Sequence, residues 1–319
     1  MAKIMVTGAT GLLGRAVVKQ LELTGHEVVA TGFSRANDSV HRLDLTHPNE
    51  VADFVSHHSP QVIVHCAAER RPDVSEQNPQ AALALNLSAS QALAQAAKAN
   101  HAWLIYISTD YVFDGTQPKY AEDAATHPVN FYGESKRKGE DIVLSIDPDF
   151  AVLRLPILYG QVEKLSESAV LVLIQQLMVQ RPQGVDDWAV RSPTSTADIA
   201  NAIDKLIALH LQSLHLQQSH LQQSHLQQTT VQGIYHFSAA ETMTKYRMLL
   251  TLGEILQLST AHLTPESTPT DCAKRPRDCT LSCGRLAALG IRSDIDFATG
   301  AHQALTQSSG ALAALGLTL

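Results

Sequence analysis

The sequence predicts an α/β protein with a doubly wound parallel sheet, followed by a smaller C-terminal substrate domain. Short apolar runs alternate with segments of helical periodicity over the first half of the 319-residue chain. Strands separated by helices of this length pair in parallel through right-handed crossovers, which place helices on both faces of the sheet. At about 150 residues per domain the length suggests two domains. We expect the sheet domain to span residues 1–160 and the second domain residues 161–319.

The individual elements follow from the spacing of apolar residues. A short continuous apolar run indicates a buried strand, and apolar residues three or four positions apart indicate a helix. The predicted strands are residues 3–7, 27–32, 62–66, 103–108, 151–155 and 233–237. The predicted helices are residues 12–24, 51–57, 81–100, 132–145, 167–180, 196–212 and 244–256.

Residues 213–228 stand apart as a tandem Ser-His-Leu-Gln-Gln repeat. A period of five moves successive leucines about 140° round an α-helix, so they form no single apolar face. The histidines are dispersed in the same way and do not converge on a metal. We interpret the segment as a polar low-complexity insertion, either a frayed helix or a loop.

Composition and charge exclude several classes of protein. The net charge of −7 argues against a nucleic-acid binder, and no apolar run approaches the roughly 18 residues that a membrane span needs. The N-terminal residues do not form a secretory signal, so we expect a cytoplasmic protein. Its cysteines (Cys66, Cys272, Cys279 and Cys283) are then reduced thiols. Their spacing does not favour zinc, and we expect no metal.

A glycine-rich turn links the first strand to the first helix. Residues 7–14 read Thr-Gly-Ala-Thr-Gly-Leu-Leu-Gly. Gly8 permits a tight turn, Gly11 lets the backbone approach a pyrophosphate, and Gly14 lets the helix pack close to the sheet. The helix N-terminus adds free N–H groups and a positive dipole. This pattern predicts a Rossmann-type dinucleotide-binding site.

The end of the second strand indicates which dinucleotide binds. A site for NAD(H) usually carries an acidic residue there, to accept hydrogen bonds from the ribose hydroxyls. This chain has Phe33, Ser34 and Arg35 instead, and Ser34 with Arg35 suits a 2′-phosphate. We therefore expect NADP(H) rather than NAD(H), although a solvated Arg35 is the simpler alternative. Asp44 lies further along the chain, between Leu43 and Leu45, where we expect a carboxylate to meet the adenine amino group.

Three residues predict hydride-transfer chemistry. Tyr132 and Lys136 are four residues apart, which places the phenol and the ammonium on one helix face. We expect the ammonium to lower the pKa of the phenol and make it a usable proton donor. Thr109, at the end of a strand, is placed to donate a hydrogen bond to a substrate carbonyl. The alternative for Tyr132 and Lys136 is an ordinary surface pair on an amphipathic helix.

Several segments together resemble a known family. TGATGLLG, ISTDYVFDGT, YGESK and RLPILYG resemble the extended short-chain dehydrogenase/reductases. STDYVFDG, PVNFYGESK and Arg275-Pro276 are similar to the dTDP-4-dehydrorhamnose reductase branch. VIVHCAAERRPDVSEQNP and RLPILYGQVEKLSESAV resemble the regulatory β subunit of methionine adenosyltransferase, which belongs to that branch. The resemblance runs from about residue 3 to about residue 305, outside the repeat.

The resemblance implies a Rossmann domain for NADP(H) and a C-terminal domain that closes over a nucleotide-sugar. It assigns the catalytic roles to Thr109, Tyr132 and Lys136. We expect Thr109 and Arg275 to contact the substrate, because Arg275 belongs to a local basic cluster that suits a nucleotide diphosphate, and a simple surface charge cluster is the alternative. The residues that the resemblance implies for cofactor binding are Gly8, Thr10, Gly11, Leu12, Leu13, Gly14, Phe33, Ser34, Arg35, Asp44, Leu45, Cys66, Ala67, Ala68, Arg70, Tyr132, Lys136 and Leu158.

More than one function is open at this point. The intact catalytic trio favours NADPH-dependent reduction of a 4-keto nucleotide-sugar, most simply dTDP-4-dehydrorhamnose. The alternative is an NADP-binding regulatory subunit whose partner is the methionine adenosyltransferase catalytic subunit. Residues 69–73 and 186–194 depart from the pattern of the sugar reductases, so a reductase for another carbonyl stays open. We expect neither nucleic acid nor membrane as a partner, and we leave open whether two copies form a homodimer.

Overall fold

The computed structural model describes residues 1–179, 181–218, 230–268 and 274–319. The strands are β1 (Lys3–Thr7), β2 (Glu27–Gly32), β3 (His41–Arg42), β4 (Val62–His65), β5 (Trp103–Thr109), β6 (Ala151–Leu155), β7 (Leu158–Tyr159), β8 (Gln183–Asp186), β9 (Thr194–Ser195), β10 (Gly233–His236) and β11 (Leu263–Glu266). The α-helices are α1 (Leu12–Leu23), α2 (Pro48–His58), α3 (Pro72–Gln77), α4 (Pro79–Leu83), α5 (Ala89–Ala99), α6 (Phe131–Ile146), α7 (Ile174–Leu177), α8 (Thr196–Gln218), α9 (Lys245–Leu256), α10 (Gly284–Ala288), α11 (Phe297–Thr306) and α12 (Ser309–Ala313).

Seven strands form one parallel sheet in the order β10-β6-β5-β4-β1-β2-β3. Strand β1 lies inside this sheet, between β2 and β4, and Ile4, Met5 and Val6 are fully buried. Its continuous apolar run reflects the helices that cover both faces. The chain winds in opposite directions from β1, and such a reversal opens a crevice at the carboxyl ends of the strands. The predicted doubly wound α/β fold is confirmed.

The C-terminal half of the chain contributes to two hydrophobic cores. Helix α8 packs on α1, and Ile203 with Leu206 is buried in the core of the large sheet. Strand β10 pairs with β6 as an edge strand of the same sheet. A second core, which contains Leu171, Leu249 and Phe297, lies beneath the two-stranded sheets β8–β11 and β7–β9. The sheet therefore takes elements from beyond residue 160, and the division of the chain there stays a prediction.

Two predicted helices differ from the structure. The helix expected at residues 81–100 is divided into α4, a π-helical segment (Ala84–Ser88) and α5. The helix expected at residues 167–180 is replaced by two 3₁₀ turns and the short α7. There the Ser168 hydroxyl accepts hydrogen bonds from the backbone N–H groups of Val170 and Leu171, both at 3.2 Å. Such a local bond offers the backbone an alternative to the helix.

The predicted low-complexity insertion begins within α8, which extends to Gln218 and not to residue 212. The rest of the repeat lies outside the described residues, as do Cys272 and residue 180. The side chains of residues 216–218 are likewise outside the description.

Candidate active site

A cleft of about 980 Å³ opens at the carboxyl ends of the central strands. Its walls include Gly8 after β1, Phe33 after β2, Cys66 after β4, Thr109 at the end of β5 and Pro156 after β6. All the residues predicted to bind cofactor or substrate, or to catalyse, line this one cleft. The structure thus brings them together, while what each one binds stays a prediction.

The glycine-rich turn has the geometry that a dinucleotide phosphate requires. Gly8 has φ +64°, and a Cβ there would lie 2.8 Å from the backbone nitrogen of Ala67. A Cβ on Gly14 would lie 2.1 Å from the Gly8 carbonyl oxygen, so the turn closes tightly on α1. Gly11 is the N-cap of α1 without a side-chain hydrogen bond, and the first turn carries no acidic residue. The helix N-terminus is therefore open to an anion, and a pyrophosphate fits.

At the predicted adenosine end, charged side chains already have protein partners. Arg35 forms an ion pair with Glu167, which also pairs with Arg15. The Oδ1 atom of Asp44 accepts hydrogen bonds from the backbone N–H and the hydroxyl of Thr46, at 2.9 and 2.7 Å. The hydroxyl bond is the main cause of the lowered pKa of Asp44. Asp44 lines the cleft as an ionised carboxylate that stabilises its own turn.

Tyr132 is positioned by the first turn of α6. The side chain of Asn130 caps this helix by accepting a hydrogen bond from the Gly133 N–H at 2.9 Å. A Cβ on Gly133 would lie 2.1 Å from the Tyr111 carbonyl oxygen, so this turn packs closely against the 3₁₀ turn after β5. The Thr109 side chain lies near the Tyr132 phenol and partly opposes the rise in its pKa that burial causes. Two of the predicted catalytic hydroxyls are therefore neighbours in the cleft.

The expected effect of Lys136 on the tyrosine is wrong for this structure. Burial raises the pKa of Tyr132, and the groups that partly oppose this are Thr109 and Arg70. Burial also lowers the pKa of Lys136 itself to about 7, although Glu140 pulls in the opposite direction. Much of the lysine charge is thus absent at neutral pH, and the phenol keeps its proton. The Lys136 ammonium nitrogen lies 3.9 Å from the centre of the Tyr106 ring.

A buried polar network beside Lys136 was missed by the sequence reasoning. Glu140 accepts hydrogen bonds from the Ser108 hydroxyl at 2.5 Å and from Arg154 at 2.9 and 2.7 Å. His236 from β10 lies 3.3 Å from the Arg154 guanidinium. Glu140 is four residues after Lys136, so helical spacing alone could have placed it on the same face.

Asn86 is a second structural residue that was missed. Its amide nitrogen donates to the Glu69 carbonyl at 3.0 Å and to the Ser135 hydroxyl at 2.9 Å. The backbone carbonyl oxygen of Asn86 accepts a hydrogen bond from the Tyr106 hydroxyl at 3.3 Å. Asn86 lies in the π-helical segment between α4 and α5. It therefore connects that segment to α6, on which Lys136 lies.

Cationic side chains also line the cleft. Arg191 is 5% exposed, donates to the Pro276 carbonyl at 3.0 Å and lies over the Tyr111 ring. Burial raises the pKa of the neighbouring Asp110 to about 7, while the charge of Arg191 opposes the rise. Arg275, expected to contact substrate, pairs with the Asp73 carboxylate at 2.8 Å.

The part of the chain that the structure describes contains no candidate metal site and no candidate membrane span. No group of three His, Cys, Asp or Glu side chains in these residues is placed to hold a metal ion. No described helix combines the length and the apolar character that crossing a membrane requires.

Comparison with known families places the chain. The model of the RmlD substrate binding domain family matches residues 2–309. The chain belongs to this family. The match spans both hydrophobic cores, and it confirms the predicted resemblance to the dTDP-4-dehydrorhamnose reductase branch.

Individual relatives carry different names. The chain is 40% identical over 305 residues to methionine adenosyltransferase 2 subunit beta of Bos taurus, covering 95% of this chain and 87% of that one. It is 37% identical over 205 residues to a dTDP-4-keto-6-deoxy-D-glucose reductase of Streptomyces niveus, covering 64% and 68%. The structure of a dTDP-4-dehydrorhamnose reductase from Bacillus anthracis in complex with NADP matches with a TM-score of 0.80 and 25% identity, covering 96% and 98%. The relatives of this chain thus include proteins named as reductases and proteins named as a methionine adenosyltransferase subunit.

Proposed function

We propose that the cleft binds NADP(H) in preference to NAD(H). The open N-terminus of α1 would hold the pyrophosphate, with Gly11 allowing close approach. The residues after β2 are Phe33, Ser34 and Arg35, so the carboxylate typical of an NAD(H) site is replaced by a hydroxyl and a guanidinium. The NADP complex of the Bacillus anthracis relative supports this choice.

The geometry best supports an NADPH-dependent reductase of a 4-keto-6-deoxy sugar carried on a nucleotide, dTDP-4-dehydrorhamnose in the simplest case. The observation that carries this proposal is that Thr109, Tyr132 and Lys136 line one cleft together with the glycine-rich turn. Bound NADPH supplies a hydride. Thr109 would hold the substrate carbonyl oxygen and Tyr132 would give it a proton. Because burial raises the pKa of Tyr132, the phenol carries that proton at neutral pH.

The cations in the cleft support this substrate class. Arg70, Arg191 and Arg275 line the cleft together with Thr109 and Tyr132. Guanidinium groups bind phosphate oxygens with two parallel hydrogen bonds, which suits the diphosphate of a nucleotide-sugar. The Streptomyces niveus relative, named for a dTDP-linked keto sugar, supports the same class.

Turnover with the pure protein tests this proposal. Mixing it with NADPH and dTDP-4-dehydrorhamnose should deplete the absorbance of the reduced nicotinamide. Tyr132→Phe should slow turnover by about 10²- to 10⁴-fold because the proton donor is lost. Tyr246→Phe, a tyrosine of the second core, is the matched control and should keep its rate. Equal rates for the wild type and Tyr132→Phe would overturn the reductase proposal.

A second candidate function is regulation of a methionine adenosyltransferase. It is favoured by one observation, namely that the β-subunit similarity covers 95% of this chain while the similarity to the Streptomyces niveus reductase covers 64%. The partner would be the catalytic subunit of a methionine adenosyltransferase in the cytoplasm. The free thiols of Cys66, Cys279 and Cys283 agree with a reducing compartment.

Two measurements separate the two functions. One is co-elution of this protein with the methionine adenosyltransferase of the same organism, and the other is its effect on the rate of that enzyme. A regulator should form a complex and change that rate, and Tyr132→Phe should leave both effects intact. A reductase should show neither effect and should lose turnover with the same variant.

A further inference from the structure

One carboxylate links the predicted 2′-phosphate site to the segment that follows β7. Glu167 pairs with Arg35, which follows β2, and with Arg15 of α1. Its side chain is 13% exposed, whereas that of Arg35 is 46% exposed. The contact joins residues that are 132 positions apart in the sequence. Glu167 therefore occupies the guanidinium that the proposed cofactor site needs.

Arg35 is accessible from the cleft that would hold the cofactor. It lines that cleft together with Ser34, and it also borders a neighbouring cavity of about 680 Å³ that contains Arg15 and Glu163. A phosphate monoester carries between one and two negative charges at neutral pH. Its approach to Arg35 places it near the negative charge of Glu167. Glu167 takes the Nη1 side of the guanidinium, so a phosphate has to share the remaining N–H donors and lie close to the carboxylate charge, or displace the carboxylate.

We propose that Glu167 is a specificity-determining residue that competes with the cofactor 2′-phosphate for Arg35 and so limits the preference for NADP(H) over NAD(H). This inference rests on the proposed NADP(H) site. NAD(H) carries no phosphate at this position, so it binds without displacing the Arg35–Glu167 pair. NADP(H) has to share Arg35 with Glu167, against the repulsion between phosphate and carboxylate, or replace the pair with an Arg35–phosphate pair.

Glu167 keeps other partners when Arg35 leaves. Arg15 contacts both of its carboxylate oxygens, at 2.6 and 3.4 Å. The backbone N–H of Glu163 donates to the same carboxylate at 3.1 Å. Arg15 is in turn fixed by the Thr10 carbonyl, to which it donates at 2.7 Å. When Arg35 moves from Glu167 to the phosphate, the Glu167 carboxylate therefore keeps a cationic partner. The movement of Arg35 does not disrupt the fold.

The experiment is a calorimetric titration of NADP⁺ and NAD⁺ into the wild type and Glu167→Gln. The glutamine keeps the shape and loses the charge, so Arg35 is released to the phosphate. We expect the ratio of the NAD⁺ to the NADP⁺ dissociation constant to rise about two- to fivefold, as for the loss of a weak ion pair. Glu163→Gln is the matched control, since Glu163 is 67% exposed and 3.9 Å from Arg35, and should change the ratio less.

The opposite sign would overturn the inference. If Glu167 instead orients Arg35 for the phosphate, Glu167→Gln lowers the ratio. In an Arg35→Ala background, Glu167→Gln should leave the ratio unchanged, and a persisting rise would mean that the carboxylate acts on the phosphate without Arg35. Thermal unfolding of each variant confirms that it is folded. Failure of the wild type to bind NADP⁺ would reject the proposed cofactor site itself, whereas an unchanged ratio with intact NADP⁺ binding would reject only this inference.

Discussion

Glu140 and Arg154 form an ion pair with both side chains 2% exposed, held by hydrogen bonds of 2.7 and 2.9 Å. The pair joins α6 to β6, and therefore joins the helix that carries Tyr132 and Lys136 to the sheet. Removal of one partner from such a pair leaves an uncompensated buried charge. The position of this helix thus depends on a contact outside the cleft.

Glu140→Gln is expected to destabilise the protein by about 3–5 kcal/mol, because Arg154 keeps its charge and loses its carboxylate. Urea unfolding measures the change in the free energy of unfolding. Glu134→Gln, on the same helix, removes an exposed pair with Lys138 and should cost about 0.5 kcal/mol or less. Similar losses for both variants would show that the buried pair contributes no more than a surface pair.

Asp110→Asn is expected to change the pH dependence of stability between pH 4 and pH 7. Burial raises the pKa of Asp110 to about 7 from 3.8, so over this range the folded state holds a proton that the unfolded state releases. Its contribution to stability is complete below pH 4 and is lost as the pH rises through 7. The asparagine removes this slope, of at most about 1.4 kcal/mol per pH unit.

Urea unfolding at several pH values measures that slope. The control is Asp123→Asn at an exposed position, which should keep the wild-type profile. A slope that survives Asp110→Asn would assign it to another group.

Local sequence predicted the parts of the site that depend on neighbours in the chain. The turn at Gly8 and Gly14 lies between adjacent elements, and the spacing of Tyr132 and Lys136 is set by a single helix. Residues that meet through the tertiary fold left no such pattern. Glu167 lies 132 positions from Arg35, and His236 lies 82 positions from Arg154. Neither contact follows from the spacing of residues within one helix or strand.

Burial is the other quantity that spacing could not supply. The sequence places an ammonium beside a phenol but does not show that both are removed from water. In the structure desolvation dominates, so the pKa of Lys136 falls to about 7 while that of Tyr132 rises. In residues 167–180 the apolar spacing includes side chains that the structure buries, among them Leu171, Ile174 and Leu177. The spacing could not show that the Ser168 hydroxyl accepts hydrogen bonds from nearby backbone N–H groups, which replaces regular helix there.

Gly14→Ala is expected to abolish NADP⁺ binding and to destabilise the sheet domain. The added methyl group would lie 2.1 Å from the Gly8 carbonyl oxygen, so either the turn or α1 must move. Calorimetric titration and thermal unfolding measure the two effects. Gly310→Ala meets no atom within 4 Å and should leave binding unchanged, with stability gained by up to about 1 kcal/mol from helix propensity. Tight NADP⁺ binding by Gly14→Ala would show that the turn is not the phosphate site.

Lys136→Met is expected to change stability in the opposite pH range from Asp110. Burial lowers the pKa of Lys136 to about 7 from 10.5, so between these values the unfolded state holds a proton that the folded state lacks. Stability therefore rises with pH from 7 towards 10.5, by at most about 1.4 kcal/mol per pH unit, and no longer changes below 7. Methionine has a similar length without charge, and the variant should lose this rise.

Lys138→Met, half-exposed on the same helix, should retain it in urea unfolding at pH 7 and pH 9. If both variants retain the rise, Lys136 is charged in the folded protein at neutral pH, and the Tyr132 phenol then lies beside a full ammonium.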